Sequence, residues 1–348
     1  MGVISRRHRR RVAGSVLVVW IALSACSGSP ATPVSPTTPA PSSAAPSSSR
    51  SGAVPLTDAR WTQGPPLPVG VSEVGVALVG RRIHVLGGYV AGHAHSTTHL
   101  VYDVDTSGWQ TGVPLPAALD HVAAAAVGDT LYAVGGYGAS GAPTTGVWAL
   151  DPTTNTWMAR APLPDARTAA VAAVIDGKLH LVGGRDLAGD TGRHDVYDPH
   201  SNTWSSAAPM PTARDHAAGA VLDGRLHVTA GRPGGMTVHE VYDPASDTWH
   251  GAAPLPTGRN SVAGAVFGGA FVVIGGEDGD ENRVYDEVDA YDPKTDTWTA
   301  LTPMPQPMQG IGAAVTDGQL FVPGGGPAAG GSQQSDVLQV LSVPPSPG

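Results

Sequence analysis

The stretch WTQGPPLP, Trp61 to Pro68, has five near-copies further along the chain: WQTGVPLP, WMARAPLP, WSSAAPMP, WHGAAPLP and WTALTPMP. Each later tryptophan (109, 157, 204, 249 and 298) stands seven residues after Tyr102, Leu150, Tyr197, Tyr242 or Tyr291, and an Asp follows each of these. Trp61 has no such predecessor. The repeats therefore begin with what looks like the end of one.

Glycine pairs complete the pattern. Six apolar runs close on a small pair at Gly87, Gly135, Gly183, Ala230, Gly275 and Gly324, at the same spacings of 48, 48, 47, 45 and 49 as the tryptophans. Each unit reads as four short strands. An Ala/Gly/Val strand comes first, then the strand ending in Gly-Gly, then one ending in Tyr-Asp, then one starting at Trp. Four strands per 45–49 residues, repeated radially, make a propeller. Converging first strands explain their small residues, and the glycines permit backbone closed to other side chains. The sixth unit stops after three strands, so the strand at Trp61 is expected to complete it and hide the open edges.

The order Gly-Gly, Tyr-Asp, Trp resembles the kelch repeat from Trp61 to about Val343, departing only at Ala230 and Leu150. The resemblance implies an all-β, six-bladed kelch β-propeller spanning 57–343, with 344–348 as a tail.

The residues before Trp61 are of another kind. Five arginines, a 12-residue apolar run from Val12 to Leu23 and the ending Leu-Ser-Ala-Cys make a secretory leader over 1–25; the run is too short to span a bilayer. LSAC resembles the bacterial lipobox, implying lipidation of Cys26, the chain's one cysteine, and an extracytoplasmic protein on the cell membrane. Residues 26–56 read as a Ser/Pro/Ala/Thr tether, about 30 Å across if coiled. Loss of the leader removes five arginines and no acid, leaving 15 basic against 29 acidic residues. Such a charge excludes nucleic acid as a partner and leaves the lipid as the only membrane attachment.

Repetition also assigns structural roles. His84, His180 and His227 share one repeat position on separate blades and read as packing residues. The Asp of each DPxTxTW segment reads as a turn former. Galactose oxidase has the kelch fold, but its copper site needs a Cys–Tyr crosslink; with Cys26 lipidated, a copper radical oxidase is excluded.

Function is expected where the copies differ on one face. The entries to the first strands (VGVSE, AALDH, DARTA, TARDH, TGRNS, QPMQG) and the loops after the glycine pairs should share the mouth of the axial channel. They offer Arg167, Arg185, Arg214, Arg232 and Arg259 for an anionic group, and Tyr89 and Tyr137 for a sugar face. Asp120, Asp215 and Gln309 join them, with Glu73, Glu277, His121 and His216 as acid–base candidates. His93 and His95 should lie further out. Asp120–His121 and Asp215–His216 are neighbours within a strand and should point to opposite faces. The two histidines lack a third partner for a metal, so none is expected, nor any cofactor. The acidic run Glu277–Asn282 lacks the alternation of an EF-hand calcium loop.

These readings converge on a monomeric envelope lipoprotein. It would bind a small anionic or sugar ligand, or an envelope protein, through a charged funnel. The alternative is a cofactor-independent mutarotase or epimerase for acidic sugars, since the architecture is similar to that of bacterial N-acetylneuraminate epimerases.

Overall fold

Six four-stranded antiparallel sheets follow one another along the chain in a computed structural model that describes residues 55–151 and 153–344. The leader expected over 1–25, the lipidation expected at Cys26 and nearly all of the expected tether lie outside the described residues. Blade one comprises Gly75–Val79, Arg82–Leu86, His99–Asp103 and Gly108–Thr111, inner to outer, and blades two to five repeat that meander. Blade six takes Ala314–Thr316, Gln319–Pro323 and Leu338–Ser342 from late in the chain and Arg60–Gln63 from its start. Trp61 faces Leu341 across that seam. The tryptophan without a predecessor is thus the outer strand of the last blade, and the ring is closed as the repeat count requires.

The small residues of the inner strands answer to crowding. A Cβ on Gly75 would come within 2.6 Å of the Val122 carbonyl oxygen in the next blade. The glycine pairs have an inter-blade function as well. The second member of each pair donates its N–H to a carbonyl of the following blade, from Gly88 to Leu119 (2.8 Å) round to Gly325 and Val71 (2.8 Å). Where the first member is glycine it lets that carbonyl in closely: at Gly135 a Cβ would stand 2.2 Å from the Arg167 oxygen, and φ is +63°; blade four makes the same bond with Ala230 there. Each of the six repeat tryptophans closes the outer radius, its Nε1 donating to a carbonyl of the preceding blade, as Trp109 does to Pro65 (3.0 Å) and Trp61 to Thr302 (2.9 Å). Between neighbouring blades lie six apolar clusters among the described residues.

His84, His180 and His227 are buried, and each meets a second histidine on the third strand. His84 Nδ1 is 2.8 Å from His99 Nε2, His180 2.8 Å from His194, and His227 3.1 Å from His239. The outer histidines donate from Nδ1 to the carbonyls of Val113, Ala208 and Ala253. That bond leaves each outer Nε2 as an acceptor and makes the inner Nδ1 the donor. Both positions switch together: blade five has Val272 and Val288 there, blade six Phe321 and Leu338. The repeated aspartates form turns, Asp198 accepting from the His200 N–H (2.9 Å) and Asp292 from that of Lys294 (2.9 Å).

Candidate functional site

Just ahead of each inner strand the chain takes a left-handed step. Glu73, His121, Ala169, His216, Ser261 and Gly310 are the six equivalents, with φ from 49° to 60°. Each N–H donates to the carbonyl of its counterpart in the preceding blade, over 2.7–3.1 Å, and the six bonds close a circle around the axis. This ring holds side chains of blades one, two and four facing one another, whereas blades three, five and six present only Ala, Ser and Gly.

Nε2 of His121 lies 3.2 Å from Oε2 of Glu73, and the His121 and His216 rings meet edge to face with centroids 4.8 Å apart. Ligand-capable atoms of Glu73, His121 and His216 all fall within 4.8 Å of one another. Behind the histidines stand buried carboxylates. Asp120 contacts His121 Nδ1 through one oxygen and His95 Nδ1 through the other, while Asp215 Oδ1 is 2.9 Å from His216 Nδ1. The latter pair is close enough for charge attraction but is not aligned for a hydrogen bond, and both His216 ring nitrogens are buried without a hydrogen-bond partner.

Three expectations are corrected here. Asp and His do not point to opposite faces, because positive φ at His121 and His216 breaks the two-residue alternation of extended chain. The histidines also do not lack a third partner, since Glu73 supplies it. A third concerns His95. The hairpin Tyr89–Val90 with Ala94–His95 folds back and returns the imidazole to Asp120, while His93 stacks on Tyr89 at 3.8 Å.

Electrostatics follow the packing. Burial alone would lower the His121 pKa, but the charge of Glu73 and the bond and charge of Asp120 outweigh it and raise the value, favouring imidazolium. Burial would raise Asp215; the adjoining His216 first, then the charges of Arg232 and Arg185, bring it below the ordinary carboxylate range instead. Tyr89 and Tyr137 are raised chiefly by burial and remain phenols. Both rings stand edge-on to His121, at 5.7 and 5.5 Å.

The loops after the glycine pairs pair directly with the entry segments: Tyr89 with Ser72, Tyr137 with Asp120, Arg185 with Thr168, Arg232 with Asp215 and Glu277 with Asn260. Arg185 and Arg232 reach the mouth, but each is already matched, by Asp190 at 2.7 Å and Glu277 at 2.8 Å. Glu277 is 1% exposed, its second oxygen taking the Gly330 N–H at 2.6 Å. It is committed to holding Arg232, and the calcium question loses its first acid. Asp278 instead caps its own turn through the N–H of Asp280 at 2.9 Å.

The remaining arginines are not in the funnel. Arg167, Arg214 and Arg259 are 0–1% exposed and lie inside their own blades. They are paired with Asp195 (2.6 Å), Glu240 (2.9 Å) and Asp289 (2.8 Å) and bonded to carbonyls at the end of the second strand, such as Gly183 and Gly275. They are internal ties, not the ligand-binding residues their sequence positions suggest. Blade two, with Leu119, has Trp148 at the position of the acid, so this pair also switches as a unit.

The axial pocket at the ring measures about 100 Å³, below the roughly 300–1,000 Å³ of sites that enclose an organic ligand. It accommodates an ion, water or one functional group. A larger cleft of about 570 Å³ adjoins blade one and has His95 on its wall, next to Asp120. Acid–base chemistry, ion binding and capture of a polar group are all within the means of this arrangement.

Comparison with known proteins agrees with the architecture. Residues 73–250 match the KLHDC2/KLHL20/DRC7 Kelch-repeats domain, and residues 258–305 match the Kelch motif. The solved structure titled "Structure of YjhT" superposes with a TM-score of 0.67 at 18% identity, covering 79% of this chain and 95% of that one. At that identity the likeness speaks for the fold. No curated protein sequence matches the chain.

Proposed function

The chain belongs to the Kelch-repeat domain family, and from that premise we propose that it is a binding propeller whose ligand docks at the mouth of the axial channel. One observation carries the reading: of six equivalent ring positions, three bring Glu73, His121 and His216 together and three are small enough to leave room in front of them. The ligand is a small polar molecule, of the carbohydrate or anionic-metabolite class. It inserts one group into the axial pocket and rests its body against Tyr89, Tyr137 and the cleft beside His95. Because Arg185 and Arg232 are already paired with acids, a ligand carboxylate would have to compete for them. This favours a neutral or singly charged ligand over a strongly anionic one. Export and lipid attachment at Cys26 would place the propeller outside the cytoplasm on a tether. An envelope-protein partner has less support, since the large exposed apolar side chains among the described residues are scattered, Leu187 being the most exposed at 79%.

Thermal unfolding of the full-length chain against a panel of neutral and acidic sugars tests this. A ligand at about a hundredfold its Kd adds roughly 2.7 kcal/mol, a rise of about 5 °C or more in a domain of this size. No rise with any sugar or small anion sinks the reading. Replacing Cys26 with Ser and following the protein from membrane to medium tests the anchor.

A second reading is favoured by the contact of Glu73 with His121 at 3.2 Å, beside His216. A sugar hydroxyl inserted into the pocket would meet a carboxylate and imidazoles able to give and take a proton, as mutarotation requires. Exchange between anomers, followed by NMR with and without the protein, decides it.

A further inference from the structure

We propose that Glu73, His121 and His216 bind a divalent transition-metal ion of zinc's class, and that Asp120 and Asp215 hold the two imidazoles in place. The proposal rests on the axial mouth being the ligand site and gives that site a first occupant.

Two imidazoles and a carboxylate are a three-residue set that leaves a fourth position open to water or ligand. Imidazole donors select zinc and its neighbours over calcium or magnesium, which take oxygen. Around an ion with bonds of about 2.1 Å the donors sit roughly 3.4 Å apart. Glu73 and His121 already stand at 3.2 Å, and no pair in the set exceeds 4.8 Å. The separation left to close is therefore about 1.4 Å at most.

The surroundings are those of a ligating histidine. A carboxylate on Nδ1 fixes the tautomer and turns the Nε2 lone pair outward. Asp120 does this for His121 and Asp215 stands at the same atom of His216. His216 adds an independent sign. It is 8% exposed, yet neither ring nitrogen has a hydrogen-bond partner, a condition that buried polar groups rarely tolerate. A cation at Nε2 gives that nitrogen its partner, with Asp215 beside the other at 2.9 Å. Charge is also in place, because Asp120, Asp215 and Glu73 surround the point while Arg185 and Arg232 are neutralised by Asp190 and Glu277. The six other buried histidines are occupied with one another and with carbonyls.

Zinc chloride titrated into the chelator-treated full-length chain should give one tightly held ion per chain, and cobalt(II) should show visible ligand-field bands. His216→Ala and Glu73→Gln should each abolish the tight site, whereas His200→Ala, on the exposed surface, should keep it. Asp215→Asn should weaken zinc about 10–100-fold. Should His216→Ala fail to fold by circular dichroism, the near-isosteric Glu73→Gln decides. Absence of tight zinc, or zinc kept undiminished by a folded His216→Ala or Glu73→Gln, overturns the proposal. Repeating the sugar panel in chelator separates the two readings. A ligand shift in chelator with no tight zinc leaves the binding propeller standing while the metal falls; tight zinc with no ligand shift does the reverse.

Discussion

Gly310 stands against Glu73 across the seam between blades six and one, and its missing side chain is what gives the Glu73 carboxylate its place. A Cβ at 310 would meet Glu73 Cδ and Oε1 at 2.6 Å, while Oε2 of the same carboxylate lies 3.2 Å from His121 Nε2. Gly310→Ala should therefore displace Glu73, whose backbone nitrogen would also stand 2.9 Å from the new Cβ, although the left-handed turn itself is one that Ala169 adopts at the equivalent position with φ 49°. The expected cost is about 1–2 kcal/mol for alanine in that conformation. Thermal unfolding should show a modestly lower melting temperature and no further rise with zinc or with any sugar that stabilises the parent. An undiminished ligand-induced rise would separate Gly310 from the site.

The buried arginines should behave as ties within a blade. Arg259→Leu leaves Asp289 buried without its partner and should destabilise by about 3–5 kcal/mol. Arg259→Leu combined with Asp289→Leu should recover most of that, because blade two carries Leu119 and Trp148 at the same two positions. Urea unfolding of the two single variants and the double gives the coupling. If the single variant is as stable as the parent, the ion pair is not a tie.

Acid should weaken the fold through the histidine pairs. Burial first, then the charge of the partner histidine, lowers His84 and His180 to about 4 and His227 to about 3, from an ordinary 6.5. Burial likewise lowers His239 to about 4. Above pH 6.5 both folded and unfolded chains are neutral at these rings and nothing changes. As pH falls below 6.5 the unfolded chain takes up protons that the folded one refuses, so stability declines until the folded values are reached near pH 4. One ring shifted this far is worth on the order of 3 kcal/mol. The melting temperature should thus drop steeply between pH 6.5 and 4. Replacing His227 and His239 with valine, as in blade five, should flatten part of the curve; a profile of unchanged slope would contradict this account.

What the sequence made legible, and what it hid, divides by distance. The glycine pairs, Tyr-Asp steps and tryptophans recur at one spacing, and that alone specifies six blades and the closing role of Trp61. The mouth depends on contacts that no spacing announces. Arg167 looks available until Asp195, 28 residues later, is known to lie against it. Adjacent Asp120 and His121 look divergent unless the left-handed step at His121 is known, and an isolated His in an extended segment gives no sign of it. His95 is returned to Asp120 by a hairpin whose residues, Tyr-Val-Ala-Gly-His-Ala-His, carry one glycine as their turn signal. The co-switching of His180 with His194, and of Arg167 with Asp195, was present in the repeats and was the one available clue to the buried pairs.

Closure of the ring at Trp61 gives the last prediction. The strand Arg60–Gln63 covers the edge of Leu338–Ser342, and Trp61 Nε1 ties it to the Thr302 carbonyl of blade five. Trp61→Ala removes that bond and a half-buried ring, and should cost about 2 kcal/mol, somewhat less than a fully buried aromatic. Removal of residues 1–64 is a different lesion, because it exposes the whole edge of Leu338–Ser342, whose unpaired N–H and C=O groups invite pairing with another chain. Size-exclusion chromatography should find the Trp61→Ala chain at the parent's elution volume. The truncated chain should form dimers or larger species, and a synthetic peptide spanning 57–68 should return it to the parent's volume. If the truncated chain runs as a monomer with the parent's melting temperature, blade six is stable on three strands and closure is not what holds the ring.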